Sequence, residues 1–322
     1  TRDSVHYVRV NDRLVPAHKN AASRDPLLGL STSYLPGYVE EKTKGRIRSH
    51  QVTRLLHSDL PSAQVAQLTK LSENAVCVVD CESEHALEQI MAVITHAQAL
   101  GHRFLVRGSA KVISALVGYD RTDEDASTDW HLSDNLRPGI VVVGSPLPQA
   151  TEQLHALLEE RLAVGLHVDI SRMTTQPDGD NYASELAKAT ECILEHNQTV
   201  AIYTSRPDQF PAETSRYTLA EKISHVLCDA LTKIRRQPGF LICKGAATSN
   251  DLLNLGLGLN AIPISGRVLC GHSRLTCSND HHRFPNMPVI VCGQNVGGEQ
   301  ALAVLVHRLT NRSFDLRPAK RA

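Results

Sequence analysis

Apolar positions along the 322-residue chain fall into two kinds of pattern. Short, almost uniformly apolar runs recur at Ala75 to Val79, Phe104 to Val106, Ile140 to Val143, Val200 to Tyr203, Phe240 to Cys243 and Val289 to Cys292, and Leu166 to Ile170 reads as a further strand. Runs of this length, rich in Val and Ile and bounded by Gly, Ser, Asp or Asn, predict strands buried on both faces. Between them lie amphipathic segments with helical spacing, around Pro61 to Leu71, Glu84 to Leu100, Ala110 to Val117, Thr151 to Val164, Tyr182 to Asn197, Leu219 to Arg236, Asn250 to Leu257 and Glu299 to Leu309. Strands alternating with helices imply βαβ units and parallel sheets.

Two regions break the alternation. The start reads as a hairpin, Val5 to Val10 and Leu14-Val15 around the turn Asn11-Asp12, followed by an irregular stretch punctuated by Pro16, Pro26, Gly29, Pro36 and Gly37. Such a segment reads as the middle of a domain. Residues 118–139 carry six acidic residues and few apolar ones, and predict a linker anchored by Trp130, the single tryptophan. The expected fold is therefore two three-layer α/β domains with mainly parallel sheets, spanning 1–118 and 139–322 with a linker at 119–138, the N-terminal one incomplete.

Composition narrows the function classes. With 42% apolar and 21% charged residues the chain has the make-up of a soluble globular protein. Lys+Arg and Asp+Glu both number 34, so bulk charge offers nothing to nucleic acid or to a membrane surface. No apolar run approaches the roughly 20 residues of a membrane span, and Thr1-Arg2-Asp3-Ser4 does not resemble a signal peptide, so a cytoplasmic protein is expected. The eight cysteines form no C-x-x-C pair and mostly sit in apolar patterns, as buried reduced thiols do. The spacing of Cys270 and Cys277 with His272, His281 and His282 matches no usual ligand pattern, and no metal site is expected there.

Three glycine-containing turns follow apolar runs in the C-terminal third: Lys244-Gly245-Ala246-Ala247-Thr248-Ser249, Ser265-Gly266 and Gly293-Gln294-Asn295-Val296-Gly297-Gly298. Strand, small-residue turn and helix is how a backbone presents N–H groups to phosphate. Thr248 and Ser249 can cap the following helix and donate hydroxyls, and Lys244 can supply charge. Gly144-Ser145 after Val143 is a further candidate. No G-x-x-x-x-G-K-[ST] or G-x-S-x-G occurs, and no convincing Ser/His/Asp set can be assigned. Gly256 to Ala261 fits G-x-G-x-x-A, but it closes a helix instead of leaving a strand, which points to a helix C-cap and away from NAD. Asp80 and Arg107 fall at carboxyl ends of expected strands, where open α/β sheets bind ligands. These residues alone leave a phosphate site and ordinary βα turns both open.

Taken together, "GIVVVGSPLPQATEQL", "AIYTSR", "PGFLICKGAATSNDLL", "GRVLCGHSRL" and "FPNMPVIVCGQNVGGEQALAVLV" resemble the nucleotide-binding domain of the four-carbon acid sugar kinase family. The stretches "RDPLLGLSTSYLPGYVEEKTKGRI" and "RFLVRGSAKVISALVG" resemble the latter part of that family's substrate domain. The resemblance runs from Val5 to Leu309 in the family's order. It implies ATP-dependent phosphorylation of a hydroxyl on a threonate- or erythronate-like acid, with ATP and Mg²⁺ as cofactors. Gly144, Ser145, Lys244, Gly245, Ala246, Ala247, Thr248, Ser249, Gly293, Asn295 and Gly297 would form the nucleotide site, with Arg107 and Ser109 on the substrate side. The partner implied is a small sugar acid, in a chain compatible with a homo-oligomer or with fusion to further domains.

The sequence also departs from the family. An Asp-Asp-x-Thr-Gly motif that would supply the catalytic base is expected near the start of the substrate domain, and no adjacent pair of aspartates occurs in the chain. Ala246 stands where a glycine is usual, His272-Ser273 where Val-Pro is usual, and Lys19-Asn20 where a Thr is frequent. The catalytic residue is thus unassigned. Two expectations follow, a kinase chain lacking its first part, or a homologue that binds nucleotide or acts as a scaffold without catalysing.

Overall fold

The computed structural model describes residues 1–10, 13–20, 29–118, 137–144, 148–175, 179–204, 216–269, 271–293 and 296–310. The chain divides into two compact units, Thr1–Asp123 and Glu124–Ala322. The expected linker lies almost wholly outside the described residues, Trp130 included.

Unit 1 opens with the antiparallel pair β1 (Tyr7–Val10) and β2 (Arg13–Pro16), in register from Tyr7 opposite Pro16 to Val10 opposite Arg13. The short helix α1 (Leu35–Lys42) carries Pro36 in its first turn, where a missing N–H costs nothing. The strands β3 (Thr53–Leu55) and β4 (Cys77–Val79) pair in parallel across α2 (Pro61–Thr69). Next comes α3 (Glu84–Ala99), whose Ser83 cap accepts from the Ala86 N–H at 3.1 Å, and then α4 (Ala110–Leu116). Leu87, Ile90, Met91, Ile94 and Ala97 recur at helical spacing along α3 and form one core with Leu55 and Leu68.

The expected strand at Phe104 to Val106 is not formed. Burial alternates along the segment, Phe104 packing on the core while Leu105 is fully exposed, but no described strand pairs with it. An apolar run becomes a strand only where a partner ladder is available, and the sheet here has two strands.

Unit 2 is built on a seven-stranded sheet in the order β6-β7-β5-β8-β11-β10-β9. It runs through β5 (Ile140–Val143), α5 (Pro148–Glu159), β6 (Val164–Val168), α6 (Ile170–Thr175), α7 (Gly179–Glu195), β7 (Val200–Thr204), α8 (Arg216–Lys233), β8 (Leu241–Lys244), α9 (Ala246–Asp251), β9 (Ile264–Leu269), β10 (His272–Thr276), β11 (Pro288–Cys292) and α10 (Ala301–Thr310). The first five strands in that spatial order are parallel, and β9 and β10 add an antiparallel edge. Alternate residues of the central strands feed two cores. Ile140, Val142, Leu241, Cys243 and Val289 join α7 and α8 on one face. Val141, Val143, Ile242, Ile290 and Cys292 join α5 and α10 on the other. Burial on both faces explains why these strands are apolar without alternation.

Two sequence expectations change. Ser265-Gly266 is not a strand-ending turn: both residues lie inside β9, paired with β10, and Gly266 has φ +142° beside a register shift in that pairing. The helix expected from Asn250 begins earlier, at Ala246, and widens into a π-helical turn over Leu252–Gly256. Of the described cysteines, Cys228, Cys243, Cys277 and Cys292 are buried, Cys77 and Cys81 half-buried and Cys192 exposed, and all are unpaired.

Candidate functional site

Register places three glycines side by side at one end of the unit 2 sheet. In β5 and β8 Val143 pairs with Lys244, and in β8 and β11 Lys244 pairs with Cys292. The next residues are Gly144, Gly245 and Gly293, so three adjacent parallel strands end level with one another. The chain leaves β5 into α5 on one face and leaves β8 toward Leu252 on the opposite face. Neighbouring strands whose connections part in this way leave a crevice at their carboxyl ends, the usual ligand position in open α/β sheets.

The middle turn is shaped by Gly245, the N-cap of α9, at φ +110° and ψ 139°. Its N–H donates to the Cys292 carbonyl at 3.1 Å, tying β8's end to β11. Thr248 and Ser249 do not cap α9 but lie within it. Thr248 faces Gly144: a Cβ on Gly144 would stand 2.3 Å from Thr248 Oγ1, so only glycine lets the two elements come this close. Ser249 is buried and its hydroxyl donates back to the Gly245 carbonyl at 2.7 Å, which occupies it inside the turn. Ala246 and Ala247 are exposed at the mouth of the turn.

Lys244 was expected to offer charge to a ligand, and the structure turns it inward. It is fully buried, and Nζ donates to the Gly293 carbonyl at 2.9 Å and the Val296 carbonyl at 3.4 Å. Burial lowers its pKa from the ordinary lysine value. Its cross-strand partner Cys292 has its thiol pushed up to about 12 by burial and stays neutral at physiological pH.

The third turn is held from α5. Gln153, fully buried, donates through Nε2 to the carbonyls of Val296 at 3.1 Å, Gly297 at 3.3 Å and Gly298 at 2.9 Å. Gln149 Nε2 reaches the Gly297 carbonyl at 2.6 Å. Gly297 has φ +85°, and a Cβ there would stand 2.5 Å from the Ala301 Cβ. His272, the first residue of β10 and register partner of Cys292, is buried against this loop, its Cε1 3.1 Å from that same position. Sequence reasoning missed Gln149 and Gln153. The available signal was a glutamine on the otherwise apolar stripe of Ala150, Leu154 and Leu157, since a buried amide demands partners. Ser145 and Asn295 lie outside the described residues.

The expected substrate-side residues belong to unit 1. Arg107 and Ser109 are both exposed, and Ser109 is the N-cap of α4 without a side-chain capping bond. Asp80 follows β4 directly and is buried, accepting the Ser4 N–H at 2.8 Å. Ser4 Oγ in turn accepts from Arg54 Nε at 2.7 Å. Asp80 therefore fastens the N-terminal segment to the sheet, a structural use of a strand-end carboxylate.

A family model described as a nucleotide-binding C-terminal domain matches residues 140–302, and one described as a sugar-binding N-terminal domain matches residues 1–116. The chain belongs to the four-carbon acid sugar kinase family. The glycine-ended strands of unit 2 thus fall within this family's nucleotide-binding domain, and the pair of domains is that of a sugar-kinase-like protein. Among solved structures, a protein of Salmonella typhimurium LT2 provisionally named a tRNA synthase is 17% identical, with TM-score 0.61 over 94% of this chain and 70% of that one, a likeness of fold. Two crystal forms of a Bordetella bronchiseptica domain of unknown function (DUF1537), domain-swapped dimers with bound citrate, are 16% identical over 98% of this chain and 71% or 70% of theirs, with TM-scores of 0.43 and 0.41. No match is found among curated proteins. No described helix is long and apolar enough to cross a membrane.

Proposed function

We propose that the chain binds ATP at the turns after β5, β8 and β11 and serves phosphoryl transfer to a hydroxyl of a four-carbon sugar acid of the threonate or erythronate kind. The observation that carries this reading is the level ending of three parallel strands in Gly144, Gly245 and Gly293 at a topological switch point, inside a domain whose family binds nucleotide. Phosphoryl transfer asks a protein mainly for positioning and for donors around the transferred group. Gly144, Gly245, Ala246, Ala247, Thr248, Gly293 and Gly297 supply close backbone approach and one hydroxyl. Ser145 and Asn295 belong to the same proposal by position in the sequence, as does binding of the acid by residues 1–118 through Arg107 and Ser109. A cytoplasmic setting, where ATP is abundant, goes with it.

Mg²⁺ enters only as the ion that accompanies the triphosphate. Among the described residues no group of three His, Cys, Asp or Glu is arranged to hold a metal, and Asp251, near the turn, is engaged by Ser224 and Asn250. No step is drawn through the ion.

A second reading is favoured by one observation, the lack of any adjacent aspartate pair to activate the acceptor hydroxyl. In that reading the chain binds nucleotide without catalysing.

Titration calorimetry of Mg·ATP into the whole chain tests the nucleotide assignment, with saturable heat as the expected result. Thr248→Ala should weaken binding on the order of tenfold, the value of about one lost hydrogen bond. Absence of heat in the parent chain sinks the assignment. Thr248→Ala is a cleaner probe than Gly293→Asp, because a Cβ at 293 would also stand 2.7 Å from Val296 Cγ2. Phosphate transfer to threonate by the same chain separates the kinase from the non-catalytic reading.

A further inference from the structure

We propose that Lys244 and Gln153 are positioning residues, which orient the backbone at Gly293 and over residues 296–298 for a nucleotide phosphate without touching it. This deepens the ATP reading above and rests on it. The carbonyls of Gly293 and Val296 accept from Lys244, those of Val296, Gly297 and Gly298 accept from Gln153, and that of Gly297 also accepts from Gln149. Four carbonyls of one short loop are thereby drawn toward buried donors on β8 and α5.

A trans peptide is planar, and its N–H points opposite to its C=O. Turning the carbonyls of Val296, Gly297 and Gly298 inward therefore turns the N–H groups of Gly297, Gly298 and Glu299 away from those donors. None of these three N–H groups donates to another described backbone group. Successive N–H groups facing one way form an anion-binding concavity, here just ahead of α10. Gly297, at φ +85° and with no room for a Cβ, permits the required backbone.

The ammonium is an expensive way to hold two carbonyls. Lys244 is fully buried, and that burial is what lowers its pKa. Among the described residues no carboxylate pairs with it, and a buried cation without one is destabilising relative to an apolar side chain of the same size. What it contributes is directional: a methionine would fill the space but orient neither carbonyl. Gln153 is in the same position, its Nε2 bonded to the loop carbonyls while its buried Oε1 has no hydrogen-bond partner among the described residues.

The test is Lys244→Met, with Gln153→Leu as the second variant should the first fail to fold. A positioning role predicts that Lys244→Met binds Mg·ATP at least tenfold more weakly while melting no lower than the parent, because a buried charge has gone. It also predicts that the salt dependence of ATP affinity stays as in the parent. A lysine in contact with phosphate would instead flatten that dependence when removed, since exposed charge pairs are screened by salt. Parent-like ATP affinity in the variant, or a flattened salt dependence, overturns the proposal. Amide exchange at Gly297, Gly298 and Glu299 in the nucleotide-free protein separates this from the ATP reading. Even if the parent binds no ATP, positioning predicts at least a threefold change in those rates in Lys244→Met, and unchanged rates overturn it.

Discussion

The two units use the same kinds of apolar run and end with different structures. In unit 2, seven strands share one sheet, the central residues Ile140, Val141, Leu241, Ile242, Val289 and Ile290 are wholly buried, and helices cover both faces. In unit 1, two three-residue strands share one core, while Leu60, Leu100, Leu105, Ile113 and Val117 are exposed. Local pattern is common to both, so the difference lies in the number of neighbours each strand finds. A strand closed in on both sides fixes its own ends to a fraction of a turn, and unit 2 has three such ends in line. Unit 1 has no comparable ladder, and its expected site residues Arg107 and Ser109 sit on exposed backbone between the unpaired segment and α4.

The sharpest way to break this comparison is to hollow out each core in turn. Phe240 is almost fully buried in the core under α5 and α10, walled by strands on either side of β8. Phe240→Ala should cost about 3–5 kcal/mol, and the rigid surroundings place it toward the upper end. Leu55→Ala in unit 1 should cost about 2–3 kcal/mol, the low end of the range for such changes, because a core covered on fewer sides can collapse into the gap. Each variant should shift its own transition in denaturant unfolding followed by amide exchange. A single transition shifted alike by both variants would refute the independence of the two cores.

Next in size is the contact between Gly144 and Thr248. Gly144→Ala places a methyl group where Thr248 Oγ1 now stands 2.3 Å away, forcing β5's end and α9 apart. The expected stability cost is about 1–3 kcal/mol, as for other overpacked sites. The effect on Mg·ATP affinity should exceed that of Thr248→Ala, since the backbone of two turns moves and not one hydroxyl. Gly118→Ala in unit 1 is the control: no atom of the described residues lies within 4 Å of that Cβ, though its φ of +65° adds local strain, and ATP affinity should not change.

How much of this was legible in the sequence follows the same division. The strands ending at Val143, Cys243 and Cys292 were readable because burial on both faces makes their composition uniform, and strand ends then point to Gly144, Gly245 and Gly293. That the three lie side by side was not readable, because register and strand order are set by pairing between residues up to about 100 positions apart. The inward turn of Lys244 was also hidden: a lysine at the end of an apolar strand is read as exposed, and only the placement of the Gly293 and Val296 carbonyls shows what it binds. In unit 1 the apolar run at Phe104 to Val106 has strand composition and no strand partner, which composition cannot reveal. Ser265-Gly266 misled for the converse reason, a bulge glycine inside a strand looking like the glycine of a turn.

The smallest expected effect is electrostatic and again separates the units. In unit 1 the Glu41 carboxylate accepts from the Ser31 hydroxyl and N–H and pairs with Lys42 at 3.0 Å. These contacts, the Ser31 hydroxyl foremost, lower its pKa from 4.5 to about 2. A carboxyl whose folded pKa is depressed binds its proton more readily when unfolded, so its contribution is complete above pH 4.5 and is lost as pH falls to about 2. Lys244 in unit 2 is also depressed, but as a cation, so stability there should rise with pH between its lowered value and the ordinary 10.5. Glu41→Gln should therefore flatten the acid limb of the unit 1 transition below pH 4.5 and leave the unit 2 transition where it was. Lys244→Met should flatten the alkaline rise of unit 2 alone. Because Glu41 is partly solvent-exposed, its share is small and should shrink further in high salt, whereas the buried Lys244 should respond little to salt. An acid limb in unit 1 that survives Glu41→Gln unchanged would transfer that pH dependence to other carboxylates of the unit, Glu40 and Glu82 first, the one held low by the Ser49 N–H and then Arg48, the other by Arg2.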